Sequence, residues 1–309
     1  MDHNALDVDR KEAVADLTVT MHAPAKLNLG LRIFPRRPDG FHDIESWFVP
    51  LSLRDTLTFR RTEALELELS GLAAGLSDQP EKNLAGRAAL ALAQAADVKP
   101  HANIHLHKLI PAGGGLGGGS SDAAATLLAL RQLWNVSISD PEIFKLAAQI
   151  GSDVPFFIHG QSSICRGRGE LIESLPLHRL LFAVLIIPPY GTSTKDVYQA
   201  FDIQSEPPDT AAIAWAELAH ANAMDISAAI RNDLERSAFV VTPALSGLRD
   251  EIKTIARRPV HLSGSGSTLF ILADQLAEAE FLANSLERNL DQAMRITPVR
   301  INNSCRCSS

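Results

Sequence analysis

Apolar and polar residues alternate through residues 17 to 33, with Leu27, Leu29 and Leu31 on one face and Lys26, Asn28 and Gly30 on the other. That period of two predicts a half-buried strand, opened by Pro24. After Phe34 the run Pro35-Arg36-Arg37-Pro38-Asp39-Gly40 reads as a turn, and alternating stretches around 44 to 51 and 55 to 69 predict further antiparallel strands. The opening of the chain is therefore largely β. Residues 83 to 96 have helix-forming composition with a broad apolar face, and Ala102 to Ile110 alternates again as a strand. The run DAAATLLALRQLW over 122 to 134 predicts the clearest helix, with Asp122 or the serines before it as N-cap. Ser139-Asp140-Pro141-Glu142 then sets a cap, a first-turn proline and a first-turn acid in order, and Gly151 stands where a helix ending near Ile150 would close.

A strand pair is expected near 154 to 173, and the stretch Glu173 to Pro176 reads as a hinge. The apolar run Leu180 to Ile187 is a buried strand, far short of the roughly 18 residues that a membrane span needs. Beyond it come helices near 194–201, 210–221, 225–230, 243–257 and 275–289, with strands at 259–263, 267–273 and 293–301. This alternation suits an α+β sandwich. The expected organisation is an arm over 1–17, a first domain over 18–176, a second over 177–303 and a tail over 304–309.

Composition narrows the function classes. Of 309 residues 46% are hydrophobic and 21% charged, the make-up of an ordinary globular protein. Its 29 basic residues against 36 acidic ones leave a net charge of −7, which argues against a protein that coats nucleic acid or an anionic membrane. Cys165, Cys305 and Cys307 cannot form a disulfide framework, and no C-x-x-C or H-E-x-x-H spacing marks a metal site, so a reducing compartment is expected. The acidic amino terminus has no apolar segment and does not read as a secretory signal, which makes a cytoplasmic location the expectation.

Chemistry is concentrated in Pro111-Ala112-Gly113-Gly114-Gly115-Leu116-Gly117-Gly118-Gly119-Ser120-Ser121-Asp122, between an alternating strand and the clearest helix. Six of the seven residues from 113 to 119 are glycine. A flexible linker does not usually open into a capped helix after one embedded leucine. An anion nest accounts for more: glycines let backbone N–H groups converge on a phosphate, and the following helix start adds partial positive charge. Ser120 and Ser121 add hydroxyls for phosphate oxygens or a magnesium ion, or cap the helix. A Walker loop is excluded, because no Gly-Lys dipeptide occurs. The dinucleotide pattern G-x-G-x-x-G is met by Gly113, Gly115 and Gly118, but any glycine-dense run meets it, and 135 to 142 reads as loop and helix start rather than strand.

Four motifs in order, Pro24-Ala25-Lys26-Leu27-Asn28-Leu29, the glycine loop, Gly151-Ser152-Asp153-Val154-Pro155 and the run His261 to Thr268, resemble the GHMP small-molecule kinases across about residues 20 to 275. Asp39-Gly40-Phe41-His42 and the doubled triple glycine resemble the branch acting on a cytidine diphosphate conjugate of methylerythritol, in the non-mevalonate isoprenoid route. The resemblance implies a two-domain α+β kinase, with a ribosomal-type first domain carrying a left-handed βαβ unit and a ferredoxin-like second domain. It implies ATP and Mg²⁺, a small-molecule acceptor phosphorylated at its 2-hydroxyl, a cleft between the domains, and a monomer or weak homodimer.

Site residues follow from the same resemblance. Lys26 would offset charge on the moving phosphoryl group while Asp153 takes the hydroxyl proton. Asn83, Leu84 and Lys108 fall near adenine. Pro111, Gly113, Gly114, Gly115 and Leu116 with Gly117, Gly118, Gly119, Ser120 and Ser121 surround the phosphates. Asn28, Asp153 and Thr194 touch the acceptor. Phe41, His42 and Tyr190 hold cytosine, by stacking and by imidazole or backbone hydrogen bonds. Many relatives carry tyrosine where this chain has Phe41, which keeps the stacking and loses a hydroxyl. Gly264, Ser265 and Gly266 close the pocket from the second domain. Metal ligands are left open, Arg166 and Arg168 are given no role, and His105 and His107 flank a sheet. Competing readings are a GHMP enzyme for mevalonate-type, sugar or amino-alcohol substrates, a dinucleotide-dependent oxidoreductase, and an RNA-binding module of ribosomal topology.

Overall fold

The computed structural model describes residues 17–203 and 212–304, so the expected acidic arm, apart from Leu17, and Cys305 and Cys307 lie outside the described residues. Strand β1 (Thr18–Arg36) pairs antiparallel with β2 (His42–Arg60) along their whole length, joined by the tight turn that Asp39 and Gly40 predict. Register shifts near Ala25, between Asn28 and Leu31, and before Arg36 disrupt the simple alternation. The expected polar face is consequently buried too: Lys26 is 4% and Asn28 3% exposed.

Strand β2 is the spine of the molecule. Its second edge meets β5 (Ser163–Gly167) over 44–48, β10 (Arg295–Ile301) at Leu51, and β4 (Ala102–Lys108) over 56–60. The expected strand over 55–69 is corrected to the end of β2 and a separate β3 (Leu65–Gly71), which runs parallel to β4. The β3–β4 crossover contains helix α1 (Leu84–Ala96), whose first turn is capped by Asn83 Oδ1 accepting from the Ala85 N–H at 3.0 Å.

Helix α2 (Gly118–Leu133) begins four residues earlier than the 122–134 helix read from the sequence. Gly117, with φ of 70°, occupies the N-cap position, and no side chain caps this end. The expected capping by Ser120, Ser121 or Asp122 is thus corrected: all three lie inside the helix, and its first amides are left for another partner. Helix α3 (Asp140–Ile150) starts at the predicted cap, where the Ser139 N–H donates to Glu142 Oε2 at 2.9 Å. The strand pair expected over 154–173 is part helix: α4 (Val154–His159), with proline in its first turn, precedes the hairpin of β5 and β6 (Leu171–Ser174).

The sequence-based division near 176 falls in the coil between β6 and β7 (Leu181–Ile187). A second sheet orders β10, β7, β9 (Leu269–Ala273) and β8 (His261–Leu262). Around it lie α5 (Thr194–Ile203), α6 (Trp215–Leu218), α7 (Ala223–Ala229), α8 (Glu235–Val241), α9 (Ala244–Ala256) and α10 (Leu276–Asn289). The helix expected over 210–221 shrinks to α6 among the described residues, and α8 has no counterpart in the sequence-based reading.

Apolar side chains fill three regions. One lies between the first sheet and α1 to α4, and another between β7, β9, α9 and α10. The third is shared: Leu27, Trp47 and Leu51 of the first half pack with Leu181, Leu185, Trp215 and Phe270 of the second. Trp47 and Trp215 meet edge to face at 6.3 Å. Burial of this shared layer holds the two halves in one arrangement and so sets the cleft between them.

Candidate active site

Lys26 is drawn to the glycine loop by its own backbone, since its N–H donates to the Leu116 carbonyl at 2.9 Å. Its Nζ donates to Asn28 Oδ1 at 2.5 Å, stands 3.6 Å from Asp153 Oδ2, and lies 4.7 Å from the centre of the Phe48 ring. Burial pushes the Lys26 pKa down, and Asp153 opposes that shift. Asp153 stands at the N-cap position of α4 without capping it, and its side chain is 30% exposed. The carboxylate is therefore held by Lys26 while remaining open to the cleft.

The glycine loop is shaped by contacts that forbid side chains. Gly113, Gly115 and Gly117 have φ of 74°, 76° and 70°, a region costly for other residues. A Cβ on Gly115 would fall 2.4 Å from the Ser263 carbonyl oxygen and 2.9 Å from that of Gly266. One on Gly117 would lie 2.9 Å from the Phe157 ring and 3.1 Å from Lys26 Cγ. The second half also clamps the loop by hydrogen bonds, Thr268 N–H to the Gly114 carbonyl at 3.1 Å and Ser263 Oγ to the Gly115 carbonyl at 3.2 Å. Leu116, 1% exposed, pins it to the shared core.

Beneath the loop sits a buried ion cluster. Lys108 Nζ donates to Asp122 Oδ2 at 2.6 Å and to Asp55, whose other oxygen accepts from the N–H groups of Leu109 and Ile110. Burial works against the charge on Lys108, but the two carboxylates outweigh it and raise its pKa. Asp122 is pushed up to about 7 by burial, with Asp55 adding to the shift and Lys108 opposing it. Asp122 Oδ1 and Ser121 Oγ are buried without a hydrogen-bond partner.

Two cavities meet at the loop. One, of about 650 Å³, is lined by Lys26, Asn28, Asp153, Phe41, His42 and Tyr198, with Gly264 and Ser265 from the second half. The other, of about 570 Å³, is lined by Asn83, Leu84, Lys108, the glycines, Ser120 and Asp122. Gly115, Gly117 and Thr194 belong to both walls. In the first cavity the His42 ring lies 5.8 Å from that of Tyr198, and Arg168 lies 3.9 Å over the Phe41 ring. His42 Nδ1 is 2.8 Å from the Phe34 carbonyl oxygen and Nε2 is 2.8 Å from Asp202 Oδ1, so both ring nitrogens face acceptors. A backbone anion cradle, shared by a nucleotide-sized cavity and a cavity holding a lysine–carboxylate pair, is suited to phosphoryl transfer between two bound molecules.

Comparison with known proteins agrees with that chemistry. A family model described as the GHMP kinases N terminal domain matches residues 83–161, and one described as GHMP kinases C terminal matches residues 213–292. The 4-diphosphocytidyl-2-C-methyl-D-erythritol kinase of Pelotomaculum thermopropionicum is 37% identical over 279 residues, covering 90% of this chain and 97% of that protein. The chain belongs to the 4-diphosphocytidyl-2-C-methyl-D-erythritol kinase family of the GHMP kinases. A crystal structure titled 4-(cytidine 5'-diphospho)-2C-methyl-D-erythritol kinase matches with a TM-score of 0.74 at 35% identity, over 92% of this chain and 99% of that chain. A homoserine kinase from Cytophaga hutchinsonii shares the fold alone, with a TM-score of 0.72 at 17% identity over 94% of this chain and 96% of that one. This GHMP kinase is an ATP-dependent phosphotransferase, and the oxidoreductase and RNA-binding readings fall away.

Most residues expected in the kinase site line one cavity or the other, with informative exceptions. Tyr190 is in neither wall; it packs against the core of the second half, and of the two aromatic rings beside His42, Tyr198 and Phe201, Tyr198 lines the cavity. Tyr198 was legible in principle, since it lies one helical turn beyond Thr194. Burial pushes its phenol pKa up. Gly266 is also absent from both walls, because its carbonyl packs behind Gly115. Ser121 is 0% exposed and outside the cavity lining. Lys108 lines the second cavity, but its ammonium is already bound to two carboxylates, which the strand pattern gave no reason to expect. Asp55, Ser46 and Asp202 were missed as well, and Arg168, given no role from the sequence, lines the first cavity. Their places depend on pairings between elements far apart in the chain.

Proposed function

We propose that this kinase transfers the γ-phosphoryl group of ATP to the 2-hydroxyl of 4-diphosphocytidyl-2-C-methyl-D-erythritol. The observation that carries the reading is the glycine loop as common wall of two cavities, with Lys26 and Asp153 beside it in the cavity that also holds Phe41 and His42. ATP lies in the cavity of Asn83 and Leu84, its phosphates against the loop and the uncapped start of α2. The cytosine enters the aromatic end of the other cavity, between Phe41 and Tyr198, with its methylerythritol toward Asp153. Because both nitrogens of the His42 ring face acceptors, backbone groups near His42 are left to read the edge of the base.

In the reaction the acceptor hydroxyl passes its proton to the Asp153 carboxylate as its oxygen bonds to the γ-phosphorus. The bond from that phosphorus to the β,γ-bridging oxygen breaks and ADP leaves. Lys26 balances the negative charge on the transferring group, and loop N–H groups hold the remaining phosphate oxygens. A nucleotide-borne magnesium ion, which neutralises phosphate charge when bound, fits the residues present: Asp122 lines the nucleotide cavity, and its Oδ1 is buried and unpartnered. Asp122 would hold it.

The net charge of −7 supports a small-molecule partner over nucleic acid. No helix among the described residues is long and apolar enough to cross a membrane. A cytoplasmic monomer or weak homodimer is part of the same proposal. The test is ADP release across a panel of alcohols offered with and without the cytidine diphosphate moiety. Preference for the cytidine conjugate is expected. Preference for a bare polyol, mevalonate or homoserine would leave a GHMP kinase of different substrate.

A further inference from the structure

Ser46 belongs to none of the family motifs, yet the hydrogen bonds around Lys26 end on it. Its hydroxyl donates to the Gly30 carbonyl at 2.5 Å and accepts from Asn28 Nδ2 at 2.9 Å. Asn28 Oδ1 in turn accepts from Lys26 Nζ at 2.5 Å. All three side chains are buried, and Ser46, 0% exposed, is sealed from water. A hydroxyl has a single proton, so with that proton on Gly30 the Ser46 oxygen receives the Asn28 amide only as an acceptor. The carboxamide is thereby held with its nitrogen toward Ser46 and its oxygen toward Lys26. Turned over, it would set donor against donor at Lys26 and acceptor against acceptor at Ser46, where no water can make up the loss.

We propose that Ser46 is a positioning residue for phosphoryl transfer, holding Asn28 in the orientation that places the Lys26 ammonium and makes Asn28 a hydrogen-bond donor to the acceptor alcohol. Asn28 lines the cavity, and with its oxygen on Lys26 and one N–H on Ser46 it has one N–H left to offer. Toward an alcohol in the cavity, Asn28 and Lys26 then only donate, and Asp153 only accepts. An alcohol bound among them gives its proton to Asp153 and takes a donor on one lone pair, which leaves the other lone pair for phosphorus. The orientation of the nucleophile thus depends on a serine that never touches it. This inference rests on the reading of Lys26 and Asp153 as the catalytic pair.

The test compares Ser46→Ala, and the shape-matched pair Ser46→Thr and Ser46→Val, with Asp153→Asn in one steady-state assay. Misplacement of reacting groups by about 1 Å costs up to about 10²-fold, so kcat is expected to fall by about tenfold or more in Ser46→Ala and Ser46→Val. KM for ATP and for the cytidine conjugate should stay within about threefold, as for an interaction felt mainly in the transition state. Ser46→Thr, which keeps the hydroxyl, should recover most of kcat. A merely structural hydroxyl would lower thermal stability without this split between KM and kcat. Wild-type kcat in Ser46→Val, or Ser46→Thr as slow as Ser46→Val, would overturn the proposal while a defective Asp153→Asn leaves the catalytic pair in place. Undiminished turnover in Asp153→Asn would remove the catalytic pair and the role of Ser46 with it. If the larger side chains prevent folding, kcat of Ser46→Ala decides.

Discussion

The cavity behind the glycine loop presents the side-chain-free backbone of six loop glycines and is backed by one sealed ion cluster, whereas the cavity in front of it is walled mainly by side chains arriving from both halves of the chain. Behind the loop, recognition comes from N–H groups whose positions are set by glycine conformations and by the uncapped start of α2. In front of it, Lys26 and Asn28 come from β1, Phe41 and His42 from the β1–β2 turn region, Asp153 from the start of α4, and Tyr198 from α5. The first design suits a common donor, because backbone reads phosphate and little else. The second suits a particular acceptor, because each side chain can be exchanged without disturbing the loop.

Substitutions that separate the two cavities sharpen this contrast. The largest effect is expected in front of the loop: Asp153→Asn should lower kcat by about 10²–10⁴-fold with folding intact by circular dichroism, the usual range for a lost general base. Behind the loop, Lys108→Met leaves Asp55 and Asp122 buried without their cation, which should cost about 3–5 kcal/mol in denaturant unfolding. Gly115→Ala combines a φ of 76° with a Cβ 2.4 Å from the Ser263 carbonyl oxygen. A loss of about 1–3 kcal/mol and a raised KM for ATP are expected, with KM for the acceptor measured as the control. Tyr198→Leu removes one stacking face and should raise KM for the cytidine conjugate by about tenfold while KM for ATP holds, on the scale of about 1–3 kcal/mol per stacked base. Equal changes in both KM values would mean that the cavities are not independent.

The smallest effect is a slope. Asp122 carries a pKa raised from 3.8 to about 7 by burial, so between these values the folded protein holds a proton that the unfolded chain has released. The stability associated with this group is complete below about pH 4 and is lost as pH rises through about 7. Asp122→Asn should flatten that decline in unfolding experiments between pH 4 and 7. An unchanged slope would place the decline elsewhere.

Legibility followed the range of the interactions. The glycine loop, the capped start of α3 and the alternation of β4 are set within a few neighbouring residues, and the local pattern reveals them. The helical start of α4 was missed because Val154 to His159 is apolar and too short for a period of 3.6 to stand out from a period of two. Within the site, Lys26, Asn28 and Asp153 were visible through their motifs, whereas Asp55, Ser46 and Asp202 look like ordinary strand and helix polar residues until their partners are known.

By itself the sequence determined where backbone must be free of side chains, where the capped helix α3 starts, and which short motifs carry charge, since these depend on local sterics and on hydrogen-bonding groups nearby in the chain. Only the tertiary structure decided that one long strand, β2, joins both halves through β5, β10 and β4, and that Lys26 meets Asp153 there. It also decided that Lys108 is sealed between two carboxylates and that Tyr198 rather than Tyr190 faces the acceptor cavity. These outcomes rest on burying apolar surface between elements remote in the chain, an energy that no local window of residues contains.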